Sequence, residues 1–155
     1  MNIETYEKAF LTVGSLLLVA CLGALLYAST ARGIHLPGVH GEIDPKQVTT
    51  TPPFDSPGVR QTGPGAYEVV ITSKAWEFNP KELRVPAGAD ITFIATSMDV
   101  IHGFHVEGTR INMMLIPGQI AHNTYRFAEP GEYLFICHEY CGGAHHTMYG
   151  KVTVE

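Results

Sequence analysis

The chain has 155 residues, enough for one domain of ordinary size and a short extra segment. Its formal net charge is −5 at pH 7 and it has no basic cluster, which argues against a nucleic acid as a partner. Its three cysteines are too few for a disulfide framework.

The first predicted element is a helix, because residues 9–28 form an uncharged and mostly apolar run. As a helix, this run would span about 30 Å, the thickness of the hydrocarbon core of a bilayer. A signal peptide would begin with basic residues and have a shorter apolar region. Residues 18–21 resemble a lipoprotein cleavage box, but the residues that follow stay apolar. We therefore predict a retained transmembrane helix within residues 1–32, with Cys21 as a small packing residue.

The next segment, residues 33–64, is rich in proline, glycine and threonine. Its prolines would interrupt a regular helix or strand. We predict an extended linker that lies over the membrane surface or a neighbouring subunit.

Residues 65–155 are predicted to form a β-sandwich or barrel, because short β-branched runs alternate with turn signals. A spacing of about 8–12 residues between such runs is typical of these folds. The predicted strands are residues 67–72, 83–85, 91–96, 102–106, 111–116, 121–127, 133–136 and 151–154.

Soft metal ligands are concentrated in the loop between the last two predicted strands, where Cys137, Cys141, His145 and Met148 occur. Two thiolates, an imidazole and a thioether favour copper over hard cations. Two cysteines in one loop can bridge a pair of copper ions, whereas a single cysteine would indicate a mononuclear site. A disulfide or a zinc site are the alternatives, but neither has a use for the methionine.

A further ligand is expected from another strand, and His102 and His105 are the candidates. An odd offset in a strand places them on opposite faces, so only one can face the metal. His102 follows the hinge at residues 97–99 and precedes a glycine, which favours it, although spacing alone leaves both open. The remaining histidines are interpreted as surface or linker residues: His35, His40, His122, His138 and His146.

The motif Cys-x-x-x-Cys-x-x-x-His-x-x-Met at residues 137–148, preceded by a strand-edge histidine, resembles the dinuclear CuA site of subunit II of haem–copper cytochrome c oxidases. Residues 99–108 and 130–133 also carry the resemblance. The single predicted helix is similar to the B-family, ba-type oxidases, in which a separate small subunit supplies the second helix. The resemblance implies a mainly β, cupredoxin-like Greek-key domain with one N-terminal transmembrane helix. It also implies a cell inner membrane location, with the C-terminal domain on the periplasmic or extracellular side.

The resemblance further implies a copper pair bridged by two cysteine sulfurs. One ion is completed by a histidine and a weak methionine, the other by a histidine and a backbone carbonyl. The implied bridging ligands are Cys137 and Cys141. One ion would add His102 and Met148, and the other would add His145 and the backbone carbonyl of Glu139. The side chain of Glu139 is also a candidate ligand for Mg²⁺ at the interface with subunit I.

The function implied by the resemblance is transfer of electrons from cytochrome c through copper to a haem in subunit I, where oxygen is reduced to water and protons are pumped. The implied partners are this haem-bearing subunit, a small single-helix subunit, cytochrome c and the lipid bilayer. Trp76 and Phe78 are the candidate residues at which electrons enter, with core packing as the alternative. Glu7 is a candidate for proton uptake, with a solvated acid at the start of a helix as the alternative.

Two other functions are weighed against this one. A nitrous oxide reductase also carries CuA, but it needs a large additional domain for its catalytic cluster. A membrane-anchored copper carrier or storage protein would use exposed, exchangeable ligands. The pairs at residues 113–114 and 145–146, together with Met148, are compatible with such a carrier.

Overall fold

The structure, a computed structural model, describes residues 3–31 and 39–155, with side chains from residue 41 onward in the second segment. Contacts divide the chain into two units, Met1–Leu36 and Pro37–Glu155, and each is described by itself. Residues 33–38 of the predicted linker, including His35, and the side chain of His40 lie outside the described residues.

The first unit contains one helix, α1, which spans Ile3–Ala31. At about 1.5 Å per residue it is about 44 Å long, more than a bilayer core requires. In the part of the chain that the structure describes, α1 is the one helix long and apolar enough to cross a membrane. Near its start the Lys8 Nζ lies 2.8 Å from the Glu4 Oε1, one helical turn away. Glu7 is exposed in the same region, and its role stays a prediction.

The described residues of the second unit form a two-sheet sandwich of eleven strands. The strands are β1 Val39–Glu42, β2 Gly58–Gly63, β3 Ala66–Lys74, β4 Glu77–Asn79, β5 Glu82–Val85, β6 Asp90–Ser97, β7 His102–Val106, β8 Asn112–Leu115, β9 Gln119–Tyr125, β10 Gly131–Ile136 and β11 Tyr149–Val154. One sheet has the order β1-β9-β6-β3-β2, with β4 paired to β3, and the other has the order β5-β11-β10-β7-β8. Two pairs are parallel, β3 with β6 and β5 with β11, and the other pairs are antiparallel. Two short 3₁₀ helices are η1 Val48–Thr50 and η2 His145–Thr147.

The main core lies between the two sheets and is built by strand alternation. In β6, Ile91, Phe93 and Ala95 face the core, because side chains two apart share one face of a strand. Phe104 of β7 and Phe135 of β10 meet there with ring centroids 5.0 Å apart. The predicted mainly β sandwich with one N-terminal helix is confirmed, and each of the eight predicted strands is present, β7 with its predicted bounds and the other seven with adjusted ends.

The predicted linker needs correction from residue 39 onward. Within it, β1 pairs with β9 and β2 pairs with β3. Between these strands, Ile43, Val48 and Phe54 are buried in a second, smaller core that also contains Val70 and Ile94. The prolines of this segment do not prevent strands and helices from forming, because no proline falls inside β1, η1 or β2. The β-domain therefore begins well before residue 65.

Candidate metal centre

The potential metal ligands meet at one end of the sandwich because β10 and β7 are neighbours. Phe135 pairs with Val106 and Ile136 with His105, so the chain leaving β10 runs past the first residue of β7. That first residue is His102, and the residue that follows β10 is Cys137. A long-range strand pairing thus brings a histidine to the cysteine loop.

Three sulfur atoms form the centre of the cluster. The Cys137 Sγ and Cys141 Sγ are 3.8 Å apart and are not bonded, and the Met148 Sδ lies 3.7 Å from the Cys141 Sγ. All three residues are buried. The arrangement therefore presents two thiols and a thioether to a single small volume.

Two imidazoles and one carbonyl complete the cluster. The His102 Nδ1 is 3.9 Å from the Cys137 Sγ, and the His145 Nδ1 is 3.4 Å from the Cys141 Sγ. The Cys137 thiol also lies 3.2 Å from the Glu139 backbone oxygen, to which it donates. The structure thus brings together all six groups that the sequence suggested as copper ligands, with His102, Cys137 and Cys141 forming a compact buried group.

The loop is held in shape by its own backbone. The Cys137 N–H donates to the Met148 carbonyl at 3.0 Å, and the His145 N–H donates to the Gly142 carbonyl at 3.1 Å. Gly142 has φ +120°, and a methyl group added there would lie 2.9 Å from the Trp76 Nε1. Glycine is needed at this position for both its backbone conformation and the close approach of the indole.

His102 and His105 have different surroundings, and of the two it is His102 that lies beside the sulfurs. His102 is fully buried beside the sulfurs. The His105 Nδ1 instead lies 3.0 Å from the Ile111 carbonyl oxygen, and its ring is 6.4 Å from that of His138. The alternation of side chains along β7 separates the two histidines.

Trp76 and Phe78 also differ, and this corrects one prediction. Trp76 is 44% exposed, and its indole N–H donates to the Cys141 carbonyl at 3.2 Å. Phe78 is only 2% exposed and packs edge-on against Phe104 and Phe135, at 5.5 and 5.4 Å between ring centroids. The prediction that electrons enter at Phe78 is corrected to its alternative, core packing, because the alternation of β4 turns its ring into the core.

The carboxylate of Glu139 does not belong to the metal-ligand group formed by His102, Cys137 and Cys141. Its Oε1 lies 3.6 Å from the His138 Nδ1. Among the described residues, no second metal-ligand group includes this carboxylate. The predicted Mg²⁺ site gains no further ligand from this part of the chain.

Sequence reasoning missed the role of Asp99. Its Oδ1 accepts a hydrogen bond from the His102 Nε2, at 2.9 Å. Burial acts to raise the pKa of Asp99, but hydrogen bonds from the Ala75 N–H, from His102 and from the Val100 N–H leave that pKa below its usual value. An acid three residues before a candidate histidine ligand was the available signal, since ligating histidines commonly donate their other N–H to a carboxylate.

The donor set fits copper. Thiolates, imidazoles and a thioether are the soft and borderline ligands that copper prefers, and the sulfurs are shielded from water. Burial, followed by the charge interaction with the neighbouring Cys137, raises the pKa of Cys141 to about 11. The Cys141 thiol is therefore protonated at neutral pH before metal binds.

The raised pKa of Cys141 predicts that copper uptake is pH-dependent. Binding at pH 7 must release the Cys141 proton, so the apparent affinity of the full-length chain for copper is expected to rise with pH until the pKa of about 11. The expected slope is about tenfold per pH unit for each proton released. Proton release can be measured with an indicator dye in weakly buffered detergent solution. Cys21→Ser should not change the number of protons, and a pH-independent affinity would contradict the prediction.

Comparisons with known proteins agree with this geometry. The family model described as the periplasmic domain of cytochrome c oxidase subunit II matches residues 74–154. A cytochrome c oxidase subunit 2 of Thermus thermophilus is 40% identical over 157 residues, covering 99% of this chain and 94% of the relative.

Two solved structures extend the comparison. A chain of a haem–copper terminal oxidase dimer, determined by cryo-electron microscopy, superposes with a TM-score of 0.80 at 33% identity and covers 97% of this chain and 99% of its own length. The periplasmic domain of subunit II of the Bradyrhizobium japonicum cytochrome oxidase (CoxB) superposes with a TM-score of 0.53 at 23% identity, over 57% of this chain and 83% of that domain. The second similarity concerns the fold alone.

Proposed function

The chain belongs to the cytochrome c oxidase subunit II family, and from this we propose that it receives electrons for a haem–copper terminal oxidase. The observation that carries the proposal is the convergence of two thiols with two imidazole nitrogens, a thioether sulfur and a carbonyl oxygen in one cluster, in which the three sulfur-bearing residues and His102 are buried. The similarity covers nearly the whole length of both this chain and its Thermus relative.

We propose that the cluster holds a dinuclear copper centre of the CuA type. Cys137 and Cys141 are suited to bridge two ions, because their sulfurs face each other at 3.8 Å. We assign His102 and Met148 to one ion, and His145 with the Glu139 carbonyl to the other. When bound, the copper pair supplies a carrier that takes up and releases one electron at a time. The protein keeps water out of this volume and holds the ligands rigid on strand ends, so little rearrangement accompanies transfer.

Electrons are proposed to enter at Trp76. Its indole is exposed on one side and on the other donates to the carbonyl of Cys141, a bridging ligand in this proposal. Tyr140, 81% exposed, lies beside the ligand His145, with ring centroids 5.9 Å apart. The proposed donor is cytochrome c, which would dock on this aromatic surface outside the membrane.

We infer the membrane arrangement from α1 and from the family of the β-domain. One N-terminal helix of this length and a periplasmic-type domain fit a membrane-anchored protein. We propose a single pass through the cell inner membrane, a haem-bearing subunit I beside the domain, and a small single-helix subunit. We also propose division into a helix within residues 1–32 and a copper domain that includes residues 65–155. Proton uptake through Glu7 belongs to the same proposal.

A membrane-anchored copper carrier is the second candidate, and burial of the ligands argues against it. Carriers exchange metal through accessible ligands, whereas His102, Cys137, Cys141 and Met148 are all buried. Nitrous oxide reductase is the less well supported function. The Thermus cytochrome c oxidase subunit 2 aligns with this chain along 94% of its own length, so the two proteins match as whole chains.

The decisive experiment is EPR spectroscopy of the full-length protein, purified from membranes with its partners. We expect two copper ions per chain and a mixed-valence signal with hyperfine coupling to two equivalent nuclei. Readily exchangeable Cu(I), in a chain isolated without any haem-bearing subunit, would instead support a carrier and overturn the proposal.

A further inference from the structure

The Asp99 side chain collects hydrogen bonds from two separate parts of the centre. Its Oδ1 lies 2.9 Å from the His102 Nε2 and accepts from the Val100 N–H at 2.7 Å. Its Oδ2 accepts from the Ala75 N–H at 2.6 Å. Asp99 does not belong to the ligand group, and its carboxylate also lies 3.4 Å from the Ser97 Oγ, through the Oδ1.

The contact with His102 determines which ring nitrogen is available. A carboxylate accepts hydrogen bonds, so the His102 Nε2 carries the proton and the Nδ1 keeps its lone pair. The Nδ1 is the atom that faces the Cys137 Sγ, at 3.9 Å. Asp99 thus holds the buried ring in the tautomer and orientation that metal binding requires.

The contact with Ala75 acts on the other side of the centre. Ala75 lies in the turn between β3 and β4, immediately before Trp76. The Trp76 indole reaches the Cys141 carbonyl from this turn, at 3.2 Å. A carboxylate that binds the Ala75 N–H therefore fixes the backbone from which the indole is presented.

We propose that Asp99 is a positioning residue that uses its two oxygens to orient His102 for metal binding and to seat Trp76 against Cys141. This inference rests on the proposed function, since it takes His102 as a copper ligand and Trp76 as the residue at which electrons enter. It adds a structural connection between that residue and the metal centre, through one side chain that binds no metal.

The test uses Asp99→Asn and Asp99→Ala in the full-length chain. In asparagine an NH₂ group, which donates, replaces one of the two oxygens, so the His102 Nε2 and the Ala75 N–H cannot both keep the acceptors that they have on opposite oxygens of Asp99. Alanine removes both acceptors. Glu77→Gln is the matched control, because it removes the same charge from an exposed side chain next to Trp76.

The first readout needs no copper. Trp76 is the only tryptophan of the chain, so its fluorescence reports on this turn alone. In copper-free protein, both Asp99 variants are expected to shift the emission to longer wavelength and to increase quenching by acrylamide. Glu77→Gln should leave both measurements unchanged.

The second readout concerns the loaded centre. Loss of such a carboxylate partner typically weakens metal binding by about 10- to 100-fold, and we expect this for Asp99→Asn. Its midpoint potential should rise, because an imidazole without an anionic partner is a poorer donor to the oxidised metal. If Asp99→Ala does not fold, the isosteric Asp99→Asn variant carries the test.

Unchanged copper affinity and Trp76 emission in Asp99→Asn would overturn the inference. Equal changes in Glu77→Gln would also overturn the inference, since loss of a negative charge near Trp76 would then be sufficient to explain the effects of the Asp99 variants. Failure of the proposed function is recognised separately, because the wild-type protein would then lack the paired-copper EPR signal. That result would remove the copper half of the inference, while the fluorescence measurement would still test the contact with Ala75.

Discussion

Replacement of Cys141 by serine is expected to abolish the paired copper centre and, with it, electron transfer from cytochrome c into the oxidase. The Cys141 Sγ lies centrally, 3.8 Å from the Cys137 Sγ and 3.4 Å from the His145 Nδ1. A serine hydroxyl is a hard ligand that does not ionise at neutral pH, so it cannot replace a bridging thiolate. Apart from Cys137, the described part of the chain offers no thiol at the site that could take over the bridge, and the neighbouring Met148 contributes only a thioether.

Copper content, the EPR spectrum and oxygen consumption with reduced cytochrome c measure this effect. We expect at most one copper ion per chain, no mixed-valence signal and oxygen consumption at background level. Cys21→Ser is the matched control, since Cys21 lies on α1 and should leave all three measurements unchanged. A Cys141→Ser protein with an intact mixed-valence signal and normal respiration would show that the proposed ligand set is wrong.

Replacement of Phe78 by alanine is expected to destabilise the β-domain by about 3–5 kcal/mol, the usual cost of removing a buried phenylalanine ring. The ring contacts Phe104 and Phe135 in the core, and its loss leaves a cavity between the two sheets. Trp76→Phe is the matched comparison, because it changes an exposed aromatic residue two positions away. It should cost little stability while slowing electron transfer from cytochrome c.

Chemical denaturation of the full-length chain in detergent measures the first effect, and stopped-flow reduction by cytochrome c measures the second. The two variants should separate cleanly: Phe78→Ala lowers the denaturation midpoint, and Trp76→Phe lowers the reduction rate. If Phe78→Ala folds with wild-type stability but reacts slowly with cytochrome c, the assignment of Phe78 to the core loses its support.

Much of the architecture was predictable because the relevant signals are local. The uncharged run at residues 9–28 indicated the helix, and alternation with turn residues indicated the strands of the sandwich. The spacing of Cys137, Cys141, His145 and Met148 indicated a copper loop, since these residues lie within one connection between strands. The first part of the β-domain escaped prediction because its strands are short and lie between prolines.

What the sequence by itself determined is the type of each element and the chemistry of the ligand loop, both of which depend on residues close together in the chain. Only the tertiary structure decided that His102 and not His105 meets the sulfurs, because that depends on the pairing of β7 with β10. It also decided that Phe78 is buried while Trp76 stays exposed beside Cys141, and that Asp99 connects Ala75 to His102. These contacts join residues that are up to 65 positions apart in the chain. The neighbours of each strand face are determined only when the strands pair and the two sheets pack together.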